Sequence, residues 1–186
     1  PEELFVLEDN AVISGNSVIG SDAMGGGVFF SNGSFAMRGN ARISGNVVRL
    51  GENQPTAEGG GIWVEGNDLA SSGSFSISGN AEISGNSTEG RGGGIYFKPT
   101  IGDFSMAGTA RISGNTAALD GGGILFYTDG NGLTFADSAA ITGNTAPQGG
   151  GIWIDATNPL TTTGYNSPAI FGNTPNQCEN IDGVCP

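Results

Sequence analysis

Short runs of alternating apolar and polar residues recur along the chain, separated by glycine, asparagine, serine and aspartate. The recurrence is regular. The motif Ile-Ser-Gly-Asn or a close variant begins at Ile13, Ile43, Ile83, Ile112, Ile141 and Ile170, so successive starts differ by 30, 40, 29, 29 and 29 residues. Three glycines followed by an aliphatic residue begin at Gly25, Gly59, Gly92, Gly121 and Gly149, once between each consecutive pair of the first motif. The unit is thus about 29 residues, and the 40-residue interval carries insertions around Arg49 to Glu58 and Glu65 to Ser72.

Each unit contains three segments with the period-two alternation of a half-buried strand. Segment a supplies Phe5/Leu7, Phe35/Met37, Phe75/Ile77, Phe104/Met106 and Leu133/Phe135. Segment b pairs Ala11, Ala41, Ala81, Ala110 and Ala139 with the motif isoleucine two residues on. Segment c follows the glycines with Val28/Phe30, Ile62/Val64, Ile95/Phe97, Ile124/Phe126 and Ile152/Ile154. A sustained 3.6-residue period is absent, and glycine interrupts any would-be helix.

Three strands per unit, repeated in register, bury their apolar columns when the chain winds as a coil and each unit stacks on the last. The predicted fold is an all-β, single-stranded, right-handed parallel β-helix of five to six coils, its hand following the rule for parallel crossovers. Strands of neighbouring coils then lie ~4.8 Å apart. The predicted β-helix domain spans 1–173, followed by a C-terminal cap at 174–186. Asn16, Asn46, Asn86, Asn115, Asn144 and Asn173 share one position per coil, and amides at that spacing predict a hydrogen-bonded ladder. Asn10, Asn40, Asn80, Thr109, Ser138 and Ser167 occupy the preceding turn, where small polar groups serve backbone donors. The triple glycines mark a tight turn in which side chains would collide.

Composition narrows the setting. Glycine numbers 35 of 186 residues and charged residues only 13%, so Asn, Ser, Thr and exposed backbone must keep the surface wet. A net charge of -12 disfavours nucleic acid, whose phosphates need clustered Lys and Arg. No apolar run approaches the ~20 residues of a membrane helix, and PEELFVLED has neither the basic start nor the apolar stretch of a signal peptide. The abrupt start is expected of a piece of a longer secreted chain or of a coil end that docks head to tail. Cys178 and Cys185 flank a short terminal loop, and closing it as a disulfide would require an oxidising compartment.

The two alternating motifs resemble those of the passenger repeats of polymorphic outer membrane proteins and related right-handed β-helix surface proteins. Gly92 to Ile95 stands for that family's Gly-Gly-Ala-aliphatic motif, and Ile83 to Asn86 for its Phe-x-x-Asn motif. Gly replaces Ala and Ile replaces Phe, and no segment corresponds to a C-terminal membrane barrel. The resemblance implies an extracellular or cell-surface location and a role in adhesion or display.

Function is then expected on the outward columns. Phe29, Trp63, Tyr96, Leu125 and Trp153 stand between the two inward residues of segment c, one per coil, and predict an exposed apolar strip for contact with protein, glycan or another copy. Self-stacking of the strip, or cover from the inserted loops, is the structural alternative. Segment b presents Arg42, Glu82 and Arg111 on successive coils, read as cross-strand ion pairs. Enzymatic chemistry finds little support. Glu65 and Asp155 stand three coils apart, roughly 14 Å at the strand spacing, too far for a glycosidase pair. Asp129-Gly-Asn-Gly lacks the acidic spacing of a calcium loop. No histidine is present, and no metal or cofactor ligand set is found. The reading is a non-catalytic structural or adhesive module, with a glycan-binding or polysaccharide-degrading tailspike-like β-helix as the alternative.

Overall fold

A computed structural model describes residues 4–52, 56–66, 74–99, 102–127, 132–155, 161–163 and 170–179. Most of the Glu65 to Ser72 insertion, the Asp129-Gly130-Asn131 stretch, Ser167 and Cys185 lie outside the described residues. All described secondary structure is β, with neighbouring strands parallel and about one repeat apart in sequence. The chain is a β-solenoid of about five turns.

Segments a, b and c each become a six-stranded parallel sheet. Sheet a runs from Leu4–Leu7 through Ser34–Met37, Ser74–Ile77, Asp103–Met106 and Gly132–Phe135 to Thr161–Thr163. Sheet b runs from Val12–Ser14 to Ile170–Phe171, and sheet c from Val28–Phe30 to Cys178–Glu179. Like residues pair with like: Phe35 with Phe75, Ile83 with Ile112, and Ile95 with Ile124. Pairing in sheet c continues past residue 173, because Cys178 is the partner of Ile152.

The register makes two columns of phenylalanine the centre of the core. In sheet a the rings of Phe35, Phe75 and Phe104 stack at 4.4 and 5.2 Å between centroids. Phe97 from sheet c meets Phe75 and Phe104 edge-on, both at 5.5 Å. This pairing of offset stacks with edge contacts suits the quadrupole of aromatic rings.

Three segments do not account for the whole turn. After the first four ladder asparagines a strand forms a fourth sheet, comprising Ser17–Gly20, Val47–Leu50, Ser87–Thr88 and Thr116–Ala117, and Ala23–Met24 pairs with Ala57–Glu58. Val48, Thr88, Ala117 and Ala146, each five residues after a motif isoleucine, point inward and are buried. A turn of this coil therefore has one or two further sides beside those of segments a, b and c.

The asparagine ladder is present from end to end of the described coil. Asn46 Nδ2 donates to Asn86 Oδ1 at 2.9 Å and to the Ile13 carbonyl at 3.2 Å. Asn86 Oδ1 accepts, besides that amide, the backbone N–H of Asn46 at 3.0 Å. The pattern repeats through Asn115, Asn144 and Asn173. Asn46, Asn86, Asn115, Asn144 and Asn173 are buried, and Asn16, on the first turn, is exposed. Burial of an amide is tolerable only with its donors and acceptor engaged. The ladder ends on Gln177, whose Oε1 accepts both the backbone N–H and the side-chain amide of Asn173, at 3.1 and 2.9 Å.

The first glycine of each triplet is required by its own bend, where φ is positive (+69° at Gly92) and a methyl group would lie 2.7 Å from the Ile95 carbonyl oxygen; the other two are required by the turn stacked on them. A methyl group on Gly93 would lie 2.5 Å from the Gly122 carbonyl oxygen of the next turn. On Gly94 it would meet the Gly123 oxygen at 2.6 Å and the Asn115 amide at 3.0 Å. Glycine and asparagine columns therefore require each other. The turn before segment b carries a second, exposed ladder, in which Asn40 donates to Asn10 at 3.2 Å and Asn80 to Asn40 at 3.1 Å.

Candidate functional site: the outer face of sheet c

Strand alternation fixes the direction of the middle residue in each segment c. Phe29, Trp63, Tyr96, Leu125 and Trp153 pair in register; Trp63, Tyr96 and Leu125, with Trp153 against them, form a hydrophobic cluster separate from the central core, and Phe29 stacks on its end. They thus lie on the outside of the coil. They are not, however, an exposed strip. Trp63 is 5%, Tyr96 3% and Leu125 0% accessible, whereas Phe29 is 56% exposed and Trp153 half-buried.

Two effects close the column. The rings cover one another: Phe29 stacks on Trp63 at 4.5 Å, and Trp63 lies parallel to Tyr96 at 6.3 Å. Flanking side chains shield the sides. Five residues before each column member stand Met24, Glu58, Arg91, Asp120 and Gln148; two residues after stand Ser31, Glu65, Lys98, Tyr127 and Asp155. Met24 and Tyr127 pack against the rings. An outward direction on a strand therefore does not equal exposure, because neighbours on both sides of the column reach over it.

The flanks carry an alternating set of charges. Arg91 Nε sits 3.0 Å from Asp120 Oδ2, and Lys98 Nζ lies 3.2 Å from Glu65 Oε1 and 5.5 Å above the Tyr127 ring. Glu58 Oε2 accepts the Trp63 indole N–H at 3.1 Å. Burial holds the Glu58 carboxyl above its ordinary range; the indole N–H, Lys98 and Arg91 pull it down, and nearby Glu65 adds to the rise. Burial, with Glu58 beside it, pushes the Tyr96 phenol well above its usual value. At Trp153 the position equivalent to Glu58 is Gln148, and the buried Trp153 Nε1 has no hydrogen-bond partner among the described residues.

These flanking residues are absent from the sequence-level site, although the signal was available as fixed offsets from the column. Two hollows border it. One, of about 120 Å³, is lined by Thr56, Ala57, Glu58, Gly90, Arg91 and Leu119. The other, of about 360 Å³, is lined by Leu4, Phe5, Phe29, Phe30, Ser31 and Asn32 on the first turn, where Leu4 and Phe5 are also exposed. Of the sequence-level ion pairs in sheet b, Arg42 with Glu82 is formed. Glu65, weighed above as a carboxylate for hydrolysis, is engaged by Lys98. Among the described residues, no group of three or more His, Cys, Asp or Glu is arranged to hold a metal ion.

The outer face and the ladder meet in one unit. Residues 80–98 match the Chlamydia polymorphic membrane protein (Chlamydia_PMP) repeat. This one repeat is similar to those of the chlamydial polymorphic membrane proteins. The matched stretch holds Ile83, the ladder residue Asn86, the glycines from Gly92 to Gly94, and Tyr96 of the outer column. Within it the family's phenylalanine and alanine positions are taken by Ile83 and Gly94. Both face the packed interior, where one apolar group or one missing methyl is accommodated by the next turn. The match points to a repeat module of outer-membrane or cell-surface proteins. No curated protein and no solved structure matches the chain. Among the described residues, no helix is long and apolar enough to cross a membrane.

Proposed function

We propose that the chain is a non-catalytic, extracellular β-helix module with a structural and adhesive role. It contacts a partner protein or a neighbouring subunit through the outer face of sheet c and the apolar end of the first turn. The supporting observation is the hollow where the two meet, lined by Leu4, Phe5, Phe29 and Phe30, of which Leu4, Phe5 and Phe29 are exposed. Scattered exposed apolar residues are ordinary, but a contiguous group of this kind marks contact surfaces. The buried Trp63, Tyr96 and Leu125 serve this surface as its rigid backing. Because their faces are occupied, stacking of sugar rings along the whole column is disfavoured, and protein contact is the better reading. A Cys178–Cys185 disulfide closing the terminal loop fits the same extracellular setting.

Charging the rim of that end is the direct test. Phe29→Asp, at an exposed position, should leave the circular-dichroism spectrum unchanged and abolish both cell-surface retention of the purified chain and its self-association in sedimentation. Retention and sedimentation equal to those of the unaltered chain would overturn the reading.

A further inference from the structure

The charges around the column are not evenly matched, and the mismatch falls on one residue. Glu58 is drawn into the outer face by its hydrogen bond to the Trp63 indole, a neutral donor. Glu65 and Trp63 face it from its own turn; Arg91, Tyr96 and Lys98 face it from the next. Arg91 is its strand neighbour in the parallel bridge, yet the guanidinium is held at 3.0 Å by Asp120. Lys98 is held at 3.2 Å by Glu65 and leans on Tyr127. Both nearby cations are thus committed to other carboxylates. Glu58 is left half-buried against aromatic rings with an indole as its close partner.

We propose that Glu58 makes this face responsive to acid: proton uptake by its carboxyl group in mild acid tightens the Trp63–Tyr96 stack against the sheet, and neutralisation loosens it. The proton comes from solvent and sits on the oxygen turned away from the indole, leaving Oε2 to accept the Trp63 N–H. The direction follows from the environment. Burial penalises the ionised form in the folded chain, so folding favours the protonated form. A carboxyl raised above its unfolded value adds stability as pH falls through the folded value, and the gain levels off below the unfolded one. The response belongs to the column itself, whatever molecule the face contacts.

The test uses the whole chain with Trp153→Phe, which leaves Trp63 as the sole indole. Its fluorescence, followed from pH 8 to about pH 3, should shift with a midpoint above the ordinary glutamate range. The added change Glu58→Gln, which keeps a carbonyl acceptor for the indole, should abolish the shift. It should also raise the melting temperature at neutral pH relative to the parent, with the difference closing in acid. The 13C resonance of the Glu58 carboxyl in the parent should titrate at the same midpoint, a readout that does not depend on the variant folding. A midpoint at or below the ordinary glutamate range, or an equal fluorescence shift in the Glu58→Gln chain, would overturn the proposal.

Discussion

The asparagine ladder and the outer aromatic column both place one residue on every turn, but they differ in what the fold demands of them. The ladder is the same residue six times, buried from Asn46 onward, with both amide hydrogens and the carbonyl engaged between turns. The column is Phe, Trp, Tyr, Leu and Trp, and its flanks change from apolar to acidic to basic along the axis. Uniformity marks a position whose bonding geometry is repeated by the coil; variety marks a position where only apolar bulk is required. The first is a fixture of architecture, and the second is where selection has freedom to shape a surface.

Substitutions should separate the two columns, beginning with the most damaging. Gly93→Ala sets a methyl group 2.5 Å from one backbone oxygen and 2.6 Å from another on the next turn, neither of which can move without parting the coils. It should cost more than about 3 kcal/mol in chemical denaturation, or prevent folding. Asn86→Leu is close in volume but leaves one Asn46 amide hydrogen and the Asn46 backbone N–H without an acceptor and the Ile43 carbonyl without the Asn86 donor. At ~1–3 kcal/mol for each orphaned group, a loss of roughly 3 kcal/mol or more is expected in the same assay. Tyr96→Leu replaces a column residue with the one already present at Leu125, and should cost only about 1–2 kcal/mol. A loss for Tyr96→Leu as large as that for Asn86→Leu would erase the distinction. The smallest effect belongs to the surface pair Arg42 and Glu82, partly exposed on sheet b, for which a double-mutant cycle should give ~0.2–1 kcal/mol.

The coil and its register were legible because two signals agree: period-two alternation within segments and a repeat between them. Phe35, Phe75 and Phe104 fall at one offset from the motif isoleucine, and they stack. The fourth sheet was not legible, because its inward position holds Val48, Thr88 and Ala117, and a two-residue strand has no alternation to detect. Gln177 was missed as the end of the ladder because it lies four residues beyond Asn173, outside the repeat, and reaches back with a longer side chain. The column lies outside the central core as read, and the self-stacking given as the alternative to an exposed strip is what Phe29, Trp63 and Tyr96 show, but the share of the cover supplied by the flanks was not legible. Exposure there is decided by side chains five residues before and two after, and their reach becomes apparent only when the turns are stacked.

The central claim is that the turns are stacked so that buried asparagine amides bond from one to the next. Hydrogen exchange of side-chain amides, followed by NMR, tests it within one sample, because the exposed turn ladder of Asn40 and Asn80 serves as a control. The prediction is that the Nδ2 hydrogens of Asn46, Asn86, Asn115 and Asn144 exchange as slowly as the backbone amides of the strands, while those of Asn40 and Asn80 exchange rapidly. Equal, rapid exchange in both sets would contradict it.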